Sequence, residues 1–255
     1  MSTARTLPVW SALTEFNQAH FLATPPANDQ DVIIVGAGVA GLVTALCLAQ
    51  DGRKVLVIDR QGVGEGESLR TTAHLASALD DRYYHLAHWH GADGARLAAA
   101  SHAAAIDWIE HLVADVDGQC CFRRVPGYLF SHDGDTSRLH KERDAAAEAG
   151  LGVTYLEGGI PHLPKLGPAL RFDRQARIDM DRYMATLASQ CDALGVRFLK
   201  ADVDQVEGGA TPRVTLAGGE VVHGSAVVVA TNVPFHERIP IHTKVAPSLA
   251  GPATT

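Results

Sequence analysis

The chain has 255 residues, of which 46% are hydrophobic, 20% charged and 6% aromatic, with a formal net charge of -7. These values are typical of a soluble globular protein and exclude disorder and collagen-like repeats. Acidic residues outnumber basic ones, 29 against 22, so charge gives no reason to expect binding to nucleic acid or to a membrane surface. The length allows one large domain or two modest ones.

The four cysteines form neither a C-x-x-C pair nor a metal-ligand spacing with the histidines, and they are Cys47, Cys120, Cys121 and Cys191. Such cysteines are typical of reduced thiols in a cytoplasmic protein, and we expect no metal site. Residues 1–30 lack the apolar core of a secretory signal and are expected to form a flexible or loosely docked arm. Residues 245–255 carry little pattern and are expected to form an irregular tail.

An uncharged stretch from Val32 to Ala49 is nearly long enough to cross a bilayer. Its details favour a βαβ unit instead, because a β-branched run at 32–35 leads through a glycine-rich turn into a helix-forming run. A second β-branched run follows at 54–58. Continuously apolar strands are typical of a parallel sheet with helices on both faces. We therefore predict a Rossmann-like α/β fold and no membrane span.

The remainder of the chain mixes helical and extended patterns. Helices are predicted over 80–116, with a break near Gly91, and over 137–149 and 179–194. A loop region with three prolines is expected around 161–168. Turns are predicted at 207–209 and 217–219, and strands at 121–125, 128–131, 153–156, 196–199 and 226–230.

The turn after the first strand carries the pattern G-x-G-x-x-G. Gly36 permits a tight turn, Gly38 lets the backbone approach a pyrophosphate, and Gly41 lets the helix pack closely on the strand. The positive end of the helix, with the amides of Val39 and Ala40, would face the anion. A βαβ unit that binds nothing is the structural alternative.

An acid closes the second strand. Asp59 lies 18 residues after Gly41, where a carboxylate can accept hydrogen bonds from ribose hydroxyls. It would repel a 2′-phosphate and so disfavours NADP, although Arg60 beside it weakens that argument. The glycines do not distinguish NAD from FAD.

Seven segments of the chain resemble the FAD-dependent amine and amino-acid oxidoreductases related to D-amino-acid oxidase. The likeness is greatest to the bacterial branch of glutamylputrescine-oxidase-like proteins and of enzymes with an appended Rieske domain. The segments are 36–45, 55–59, 64–75, 79–84, 101–106, 125–130 and 227–232. The resemblance implies a Rossmann-like FAD-binding domain (31–80 and 195–244) interleaved with an α+β substrate domain and helical insert (81–194).

The resemblance also implies how the cofactor lies. FAD would be extended, with its adenine end on the βαβ unit and its flavin toward the substrate domain. The loop after the second strand would pass beside the flavin, where hydroxyls and amides bind pyrophosphate or ring atoms and an arginine offsets negative charge. Its residues are Ser68, Arg70, Thr71, Thr72, Ala73 and His74. Without the resemblance, this loop would be a polar, glycine-rich surface segment.

The resemblance also bears on four further residues, and two of them, His74 and Val203, have two interpretations each. Related dimethylglycine and sarcosine dehydrogenases have a Thr-Trp-His segment whose histidine bonds covalently to the flavin, so His74 is either an 8α-linked ligand or a residue packed near the ring. Val203 resembles a residue whose backbone meets adenine, or it is an ordinary strand valine. Thr231 and Asn232 stand where many flavoproteins have Thr-Gly beside the cofactor; asparagine adopts positive φ like glycine.

The implied reaction is oxidation of a C–H bond next to an amine, with hydride passing to flavin N5. His74 and Tyr128 are candidates for the amine pocket. The histidines at 85, 88, 90 and 102 are expected to be helix-surface or partly buried residues rather than catalysts. Family members continue beyond this chain's last residues, so the C-terminal part of the fold is expected to be missing. A further domain or subunit would complete it. The alternatives are a truncated, non-catalytic remnant and an NAD-dependent dehydrogenase.

Overall fold

The computed structural model describes residues 20–27, 30–114, 120–131 and 134–232. The chain divides into two compact units, the first formed by Met1–Arg70 with Met184–Thr255 and the second by Thr71–Tyr183. The predicted tail 245–255, most of the predicted arm and the segment from 233 onward lie outside the described residues. Within the described residues, no helix combines the length and the apolar character that a bilayer crossing requires.

The first unit is built on a seven-stranded sheet. Its strands, numbered along the whole chain, are β1 (Phe21–Leu22), β2 (Gln30–Val35), β3 (Val55–Asp59), β8 (Arg197–Lys200), β9 (Val203–Glu207), β10 (Arg213–Leu216) and β11 (Val221–Val229). The order is β1-β8-β3-β2-β11-β10-β9. The first five strands of this order run parallel, and β9 to β11 form an antiparallel meander.

Helix α1 (Val39–Gln50) connects β2 to β3, which is the predicted βαβ unit. The predicted apolar runs are buried almost throughout β2 and β3 because the sheet is covered on both faces. Ile33, Leu56 and Val214 belong to one apolar cluster that joins the parallel strands to the meander. This core fixes the ends of β2, β3 and β11 relative to one another.

The second unit contains an antiparallel sheet of four strands. They are β4 (His74–Leu75), β5 (Arg123–Phe130), β6 (Val153–Leu156) and β7 (Ala169–Arg177), and β7 pairs with the other three. Helix α2 (Tyr83–Ala114) and helix α3 (Thr136–Glu148) supply the rest of its core. Helix α4 (Met180–Ala193) begins in this unit and continues into the first. The predicted break near Gly91 is confirmed, since Gly91 interrupts α2 with φ 73°.

The structure of this unit differs from the prediction at two places. The central strand β7 was not predicted after the proline-rich loop, because it has many charged residues and its burial does not alternate. The two short strands predicted at 121–125 and 128–131 are one strand, β5. The chain crosses Pro126 with a bulge, where the register against β7 shifts between Val125 and Gly127, rather than with a turn.

In the first unit, the structure differs from the predicted boundaries of the arm and of the final strand. Within the predicted arm, Phe21–Leu22 pair with β8, and Gln30 is already a buried residue of β2. The final strand begins five residues earlier than predicted, at Val221, because it first pairs with β10 in the meander and only later with β2.

Candidate functional site

The carboxyl ends of β2, β3 and β11 meet at the turn before α1. Gly36 adopts φ +113°, and a Cβ there would lie 2.7 Å from the carbonyl oxygen of Ala230, just after β11. Glycine therefore lets the end of β11 pass directly against the turn. After β2 the chain continues through α1 to β3, which pairs with one edge of β2, whereas β11 pairs with the other edge. Parallel α/β sheets bind ligands at such reversals of strand order.

The first turn of α1 has amides without an acceptor inside the helix. Its first intrahelical bond runs from Leu42 N to Gly38 O at 3.0 Å, so the amides of Val39, Ala40 and Gly41 have no acceptor within the helix. Gly38 is the N-cap residue without a side-chain cap, and the first turn carries no acidic residue. The arrangement is that of an anion-binding helix terminus.

Close packing behind this turn also depends on glycine. A Cβ on Gly41 would lie 1.9 Å from the carbonyl oxygen of Gly36. No side chain can be accommodated at that distance, so α1 could not approach the end of β2 if the residue were larger. The third glycine of the pattern thus has the packing role that its spacing predicts.

Ser68 reaches the same helix terminus from a short 3₁₀ turn, Glu67–Leu69. Its Oγ accepts a hydrogen bond from Val39 N at 2.9 Å. A Cβ on Gly38 would lie 3.0 Å from that Oγ. The hydroxyl hydrogen of Ser68 remains able to donate to an anion at the terminus.

The Asp59 carboxylate holds the turn from the end of β3. Its Oδ2 accepts from Ala37 N at 2.9 Å, and its Oδ1 accepts from Gln61 N at 2.8 Å and Gly62 N at 2.9 Å. An ionised carboxylate offers about four acceptor positions, so one further donor can still be accepted. Asp59 therefore orders the glycine turn and retains capacity for a ligand hydroxyl.

A buried hydroxyl without a partner lies beside the turn. Thr231 follows Ala230, whose amide donates to Val35 O at 2.8 Å. Among the residues that the structure describes, none hydrogen-bonds the buried Oγ1 of Thr231. Buried polar atoms are nearly always paired, so this atom is a candidate contact for a bound group. Asn232, next along the chain, is exposed.

The other candidates of the first unit are more peripheral. Arg60 is exposed, and Arg70 lies 3.6 Å from Glu67 in a solvent-facing pair. Val203 is half-buried and packs against the apolar cluster of the sheet. Its segment still lies near the end of β3, because Ala201 N donates to Asp59 O at 3.0 Å. Its side-chain contacts are those of an ordinary strand valine.

The remaining loop candidates belong to the second unit. Ala73 is buried and adopts φ 56°, a conformation that is uncommon for a residue with a Cβ. Its amide donates to Thr71 Oγ1 at 3.2 Å, and its carbonyl accepts from Ile178 N at 3.2 Å. His74 Nδ1 lies 3.3 Å from Thr72 Oγ1, and the ring is exposed. Nothing in the sequence pattern predicted the strained backbone at Ala73.

The two amine-pocket candidates lie far apart on one sheet. His74 is paired with Arg177 of β7, whereas Tyr128 is paired with Arg171 of the same strand on its other edge. Six residues of strand span about 20 Å at about 3.3 Å per residue. One small substrate therefore cannot contact both side chains.

Comparison with known families shows what the chain is. A family model described as FAD dependent oxidoreductase, DAO, matches residues 31–247. The chain belongs to this family. It was expected to resemble the relatives of D-amino-acid oxidase, and that prediction is confirmed.

Two curated relatives are about twice as long as the matched region. YhfW of Bacillus subtilis (strain 168), named as a Rieske 2Fe-2S iron-sulfur protein, is 25% identical over 231 residues, which cover 89% of this chain and 45% of YhfW. OrdL of Haemophilus influenzae, named as an oxidoreductase, is 26% identical over 210 residues, which cover 79% of this chain and 48% of OrdL. The chain thus spans about half the length of these relatives.

Solved structures share the fold. Glycine oxidase from Geobacillus kaustophilus superposes with a TM-score of 0.66 at 18% identity, covering 80% of this chain and 56% of that one. L-Amino acid deaminase from Proteus vulgaris has a TM-score of 0.66 at 19% identity, covering 84% and 55%. The α/β architecture with its parallel sheet is therefore the FAD-binding fold of this FAD-dependent oxidoreductase family.

The residues of the turn fit the diphosphate of FAD. Gly38 leaves the terminus of α1 without a side-chain cap, the amides of Ala40 and Gly41 have no acceptor within the helix, and no acidic side chain in that turn repels an anion. Thr231 Oγ1 is buried without a described partner beside them. Asp59 has one acceptor position left for a ribose hydroxyl. The helix terminus, the Thr231 hydroxyl and the Asp59 carboxylate favour the same ligand class.

One notable residue of this family member was missed by sequence reasoning. Glu142 on α3 is 1% exposed, and burial raises the pKa of its carboxyl to about 7. The sequence did contain a signal, because Leu139, Glu142 and Ala146 share the buried face of α3 at helical spacing.

Proposed function

We propose that this chain binds FAD and oxidises a C–H bond next to the nitrogen of an amino acid or a polyamine-type amine. The family match supports an FAD-dependent oxidoreductase. The observation that carries the proposal is the open glycine turn, whose amides, carboxylate and buried hydroxyl suit a flavin dinucleotide. Bound FAD would supply the hydride acceptor, flavin N5.

In this proposal the first unit holds the adenosine diphosphate half. The amides of Ala40 and Gly41 would bind phosphate oxygens. Val39, whose amide donates to Ser68 Oγ, would act through that hydroxyl, which would donate to a phosphate oxygen, and Asp59 would accept from the ribose. The further cofactor contacts that we propose are Arg60, Arg70, Thr71, Thr72, Ala73, His74, Val203, Thr231 and Asn232.

The solved structures with a similar fold favour an amino acid as the electron donor. The solved structures with this fold include a glycine oxidase, an L-amino acid deaminase and an L-proline dehydrogenase, whose names concern amino acids. Of the two pocket candidates we favour His74, since it follows the strained Ala73 in the loop proposed to lie beside the flavin. Tyr128, about 20 Å along the sheet, would then not contact the same substrate.

The visible spectrum of the purified chain tests this function. We expect flavin bands that bleach on anaerobic addition of amines or amino acids. Bound flavin that no member of a broad amine panel bleaches would favour a non-catalytic remnant. Tight NADH binding without flavin absorbance would favour an NAD-dependent dehydrogenase.

The same sample decides how His74 contacts the flavin. After acid denaturation, yellow colour in the pellet would support a covalent histidyl link, and His74→Ala would release it. All colour in the supernatant would leave His74 as a residue near the ring.

We also propose the cytoplasm as the compartment, from the cysteine usage, and a further domain or subunit that completes the fold. The proposal of a further domain or subunit is supported by the two curated relatives, because this chain matches only about half the length of each. Mass spectrometry of the protein purified from its native source would show the length of its chain and any associated subunit.

A further inference from the structure

The second unit contains a cavity that the proposed FAD contacts do not line. Its volume is about 320 Å³, and it lies where the start of α2, the end of β5 and helix α3 meet. Its apolar wall is formed by Tyr84, Leu129, Phe130 and Leu139. Four charged residues also line it, Arg82, Asp135, Arg138 and Glu142. A concave apolar site with a few convergent polar groups is the usual form of a small-molecule pocket.

Glu142 is the buried polar group of this cavity. Its Oε2 accepts from the amides of Tyr83 at 2.8 Å and Tyr84 at 3.4 Å, so α3 caps the first turn of α2. Among the described residues, none donates to Oε1, although the side chain is 1% exposed. Burial raises the pKa of Glu142 to about 7, so a proton on Oε1 can be donated into the cavity near neutral pH.

Arg82 brings a positive charge to the same cavity. It adopts φ 63° just before α2, and its Nη1 donates to Leu79 O at 2.9 Å. Its other guanidinium hydrogens have no carboxylate acceptor within the described part of the chain. The second arginine of the lining, Arg138, is already paired with Asp135 at 3.2 Å. Arg82 is therefore the cation available for an anion.

We propose that this cavity binds a small carboxylic acid with an aromatic or aliphatic body, its carboxylate on Arg82 and Glu142 and its body on the apolar wall. A guanidinium fork matches a carboxylate in two parallel hydrogen bonds. A protonated Glu142 adds a short O–H···O bond to the same carboxylate. The cavity is large enough for a benzene ring with a short acid chain.

Ligand binding in this arrangement is linked to protonation of Glu142. The charged and titratable groups around it are Arg82, Tyr83 and Tyr84 at the start of α2 and Asp135 and Arg138 on α3. A bound carboxylate beside Glu142 favours the neutral form, because two carboxylates in contact cannot both be ionised without cost. Affinity therefore falls as pH rises through about 7.

Titration calorimetry with 3-phenylpropionate, at pH 6 and pH 8, tests the proposal on the purified chain. We expect binding that weakens by about tenfold from pH 6 to pH 8, the ratio of protonated Glu142 at those two values. Arg82→Asn should weaken binding by at least tenfold, and asparagine suits the left-handed backbone at that position. Glu142→Gln should bind equally at both pH values, because the amide donates like the neutral acid. The neutral 3-phenylpropanamide should bind at least tenfold more weakly than the acid.

The matched control is Arg96→Asn, an exposed arginine on α2 that does not line the cavity and whose removal should leave binding unchanged. Equal affinity of the Arg82→Asn variant, equal affinity of the amide, or no binding by the folded wild-type chain would each overturn the proposal. If Arg82→Asn does not fold, the proposal is tested by the binding of Glu142→Gln at pH 6 and pH 8, and a tenfold loss in that variant would overturn it. The measurement is repeated on flavin-free protein, so absence of FAD would defeat the proposed function without affecting this site.

Discussion

At the scale of single residues, the glycine turn depends both on local sequence and on contacts between residues distant in the chain. The spacing of Gly36, Gly38 and Gly41 predicted the turn and its packing, because those requirements are local. The sequence did not predict that Asp59 accepts from Ala37 N, or that Ser68 accepts from Val39 N, because these contacts join residues 22 and 29 positions apart. A pattern of residue types carries no information about such distances.

The packing role of Gly41 leads to a stability prediction. Gly41→Ala places a methyl group 1.9 Å from a backbone oxygen, so α1 must move away from β2. We expect a loss of about 3 kcal/mol and a melting temperature lower by about 6–12 °C. Gly66→Ala is the control, since a Cβ there meets nothing within 4 Å, and it should change stability by less than about 0.5 kcal/mol. Equal melting temperatures for the two variants would contradict the packing argument.

The buried Glu142 predicts an unusual pH dependence. Its pKa of about 7 in the folded chain exceeds the ordinary value of 4.5, so the folded state holds the proton more tightly. Stability should therefore fall between about pH 4.5 and pH 7, by about 2 kcal/mol after allowance for solvent screening. Urea denaturation at pH 5 and pH 8 should show this loss in the wild type and not in Glu142→Gln. The exposed Glu148→Gln on the same helix should behave as the wild type.

At the scale of elements, helices were easier to predict than the central strand of the second sheet. The helices over 137–149 and 179–194 were placed within a few residues, because helical periodicity is local. Strand β7 pairs on both edges and carries five charged or amide side chains, so its stability depends on partners elsewhere in the chain. The sequence predicted only the proline-rich loop at 161–168 before it.

An ion-pair network connects α2 to this sheet. Arg124 of β5, with a side chain 20% exposed, hydrogen-bonds Asp107 and contacts Glu110 at 2.6 Å. It also donates to the carbonyl of Arg174 at 2.7 Å. These contacts hold the helix against the bulged strand through one partly buried guanidinium.

Removing this guanidinium should destabilise the second unit. We expect Arg124→Met to cost about 1–2 kcal/mol, because two carboxylates and a carbonyl lose a charged donor. Arg174→Met is the comparison, since that side chain is 69% exposed and contacts Asp107 only at the surface; it should cost less than about 0.5 kcal/mol. Chemical denaturation of the two variants measures the difference, and equal losses would show that the network is not what stabilises this contact.

At the scale of the whole molecule, the chain has two compact units and about half the length of its curated relatives. The Rossmann-like unit was predictable because its strands, turn and acid follow one another within a short stretch of sequence. For the meander β9 to β11, the sequence predicted the two glycine turns and the end of β11 at 226–230 but not the pairing, since β11 pairs with β2 across most of the chain.

Cofactor binding should be visible as a stability change of the whole chain. A ligand that binds only the folded state adds about 2.7 kcal/mol at a concentration of 100 times its Kd. Saturating FAD should therefore raise the melting temperature of flavin-free protein by about 5–10 °C. NADP at the same concentration should have no effect, because Asp59 repels a 2′-phosphate. An equal shift with NADP would contradict the assigned role of Asp59.

The most direct test of the FAD site is the flavin content of the purified chain and of Gly38→Leu. The backbone at Gly38, φ -77° and ψ -178°, accepts any residue, but a side chain there must displace the Ser68 hydroxyl and fill the helix terminus. We predict about one FAD per chain in the wild type and in Gly66→Ala, and at least tenfold weaker binding in a folded Gly38→Leu. Undiminished FAD binding by that variant, or a folded wild type that takes up no FAD, would contradict the account.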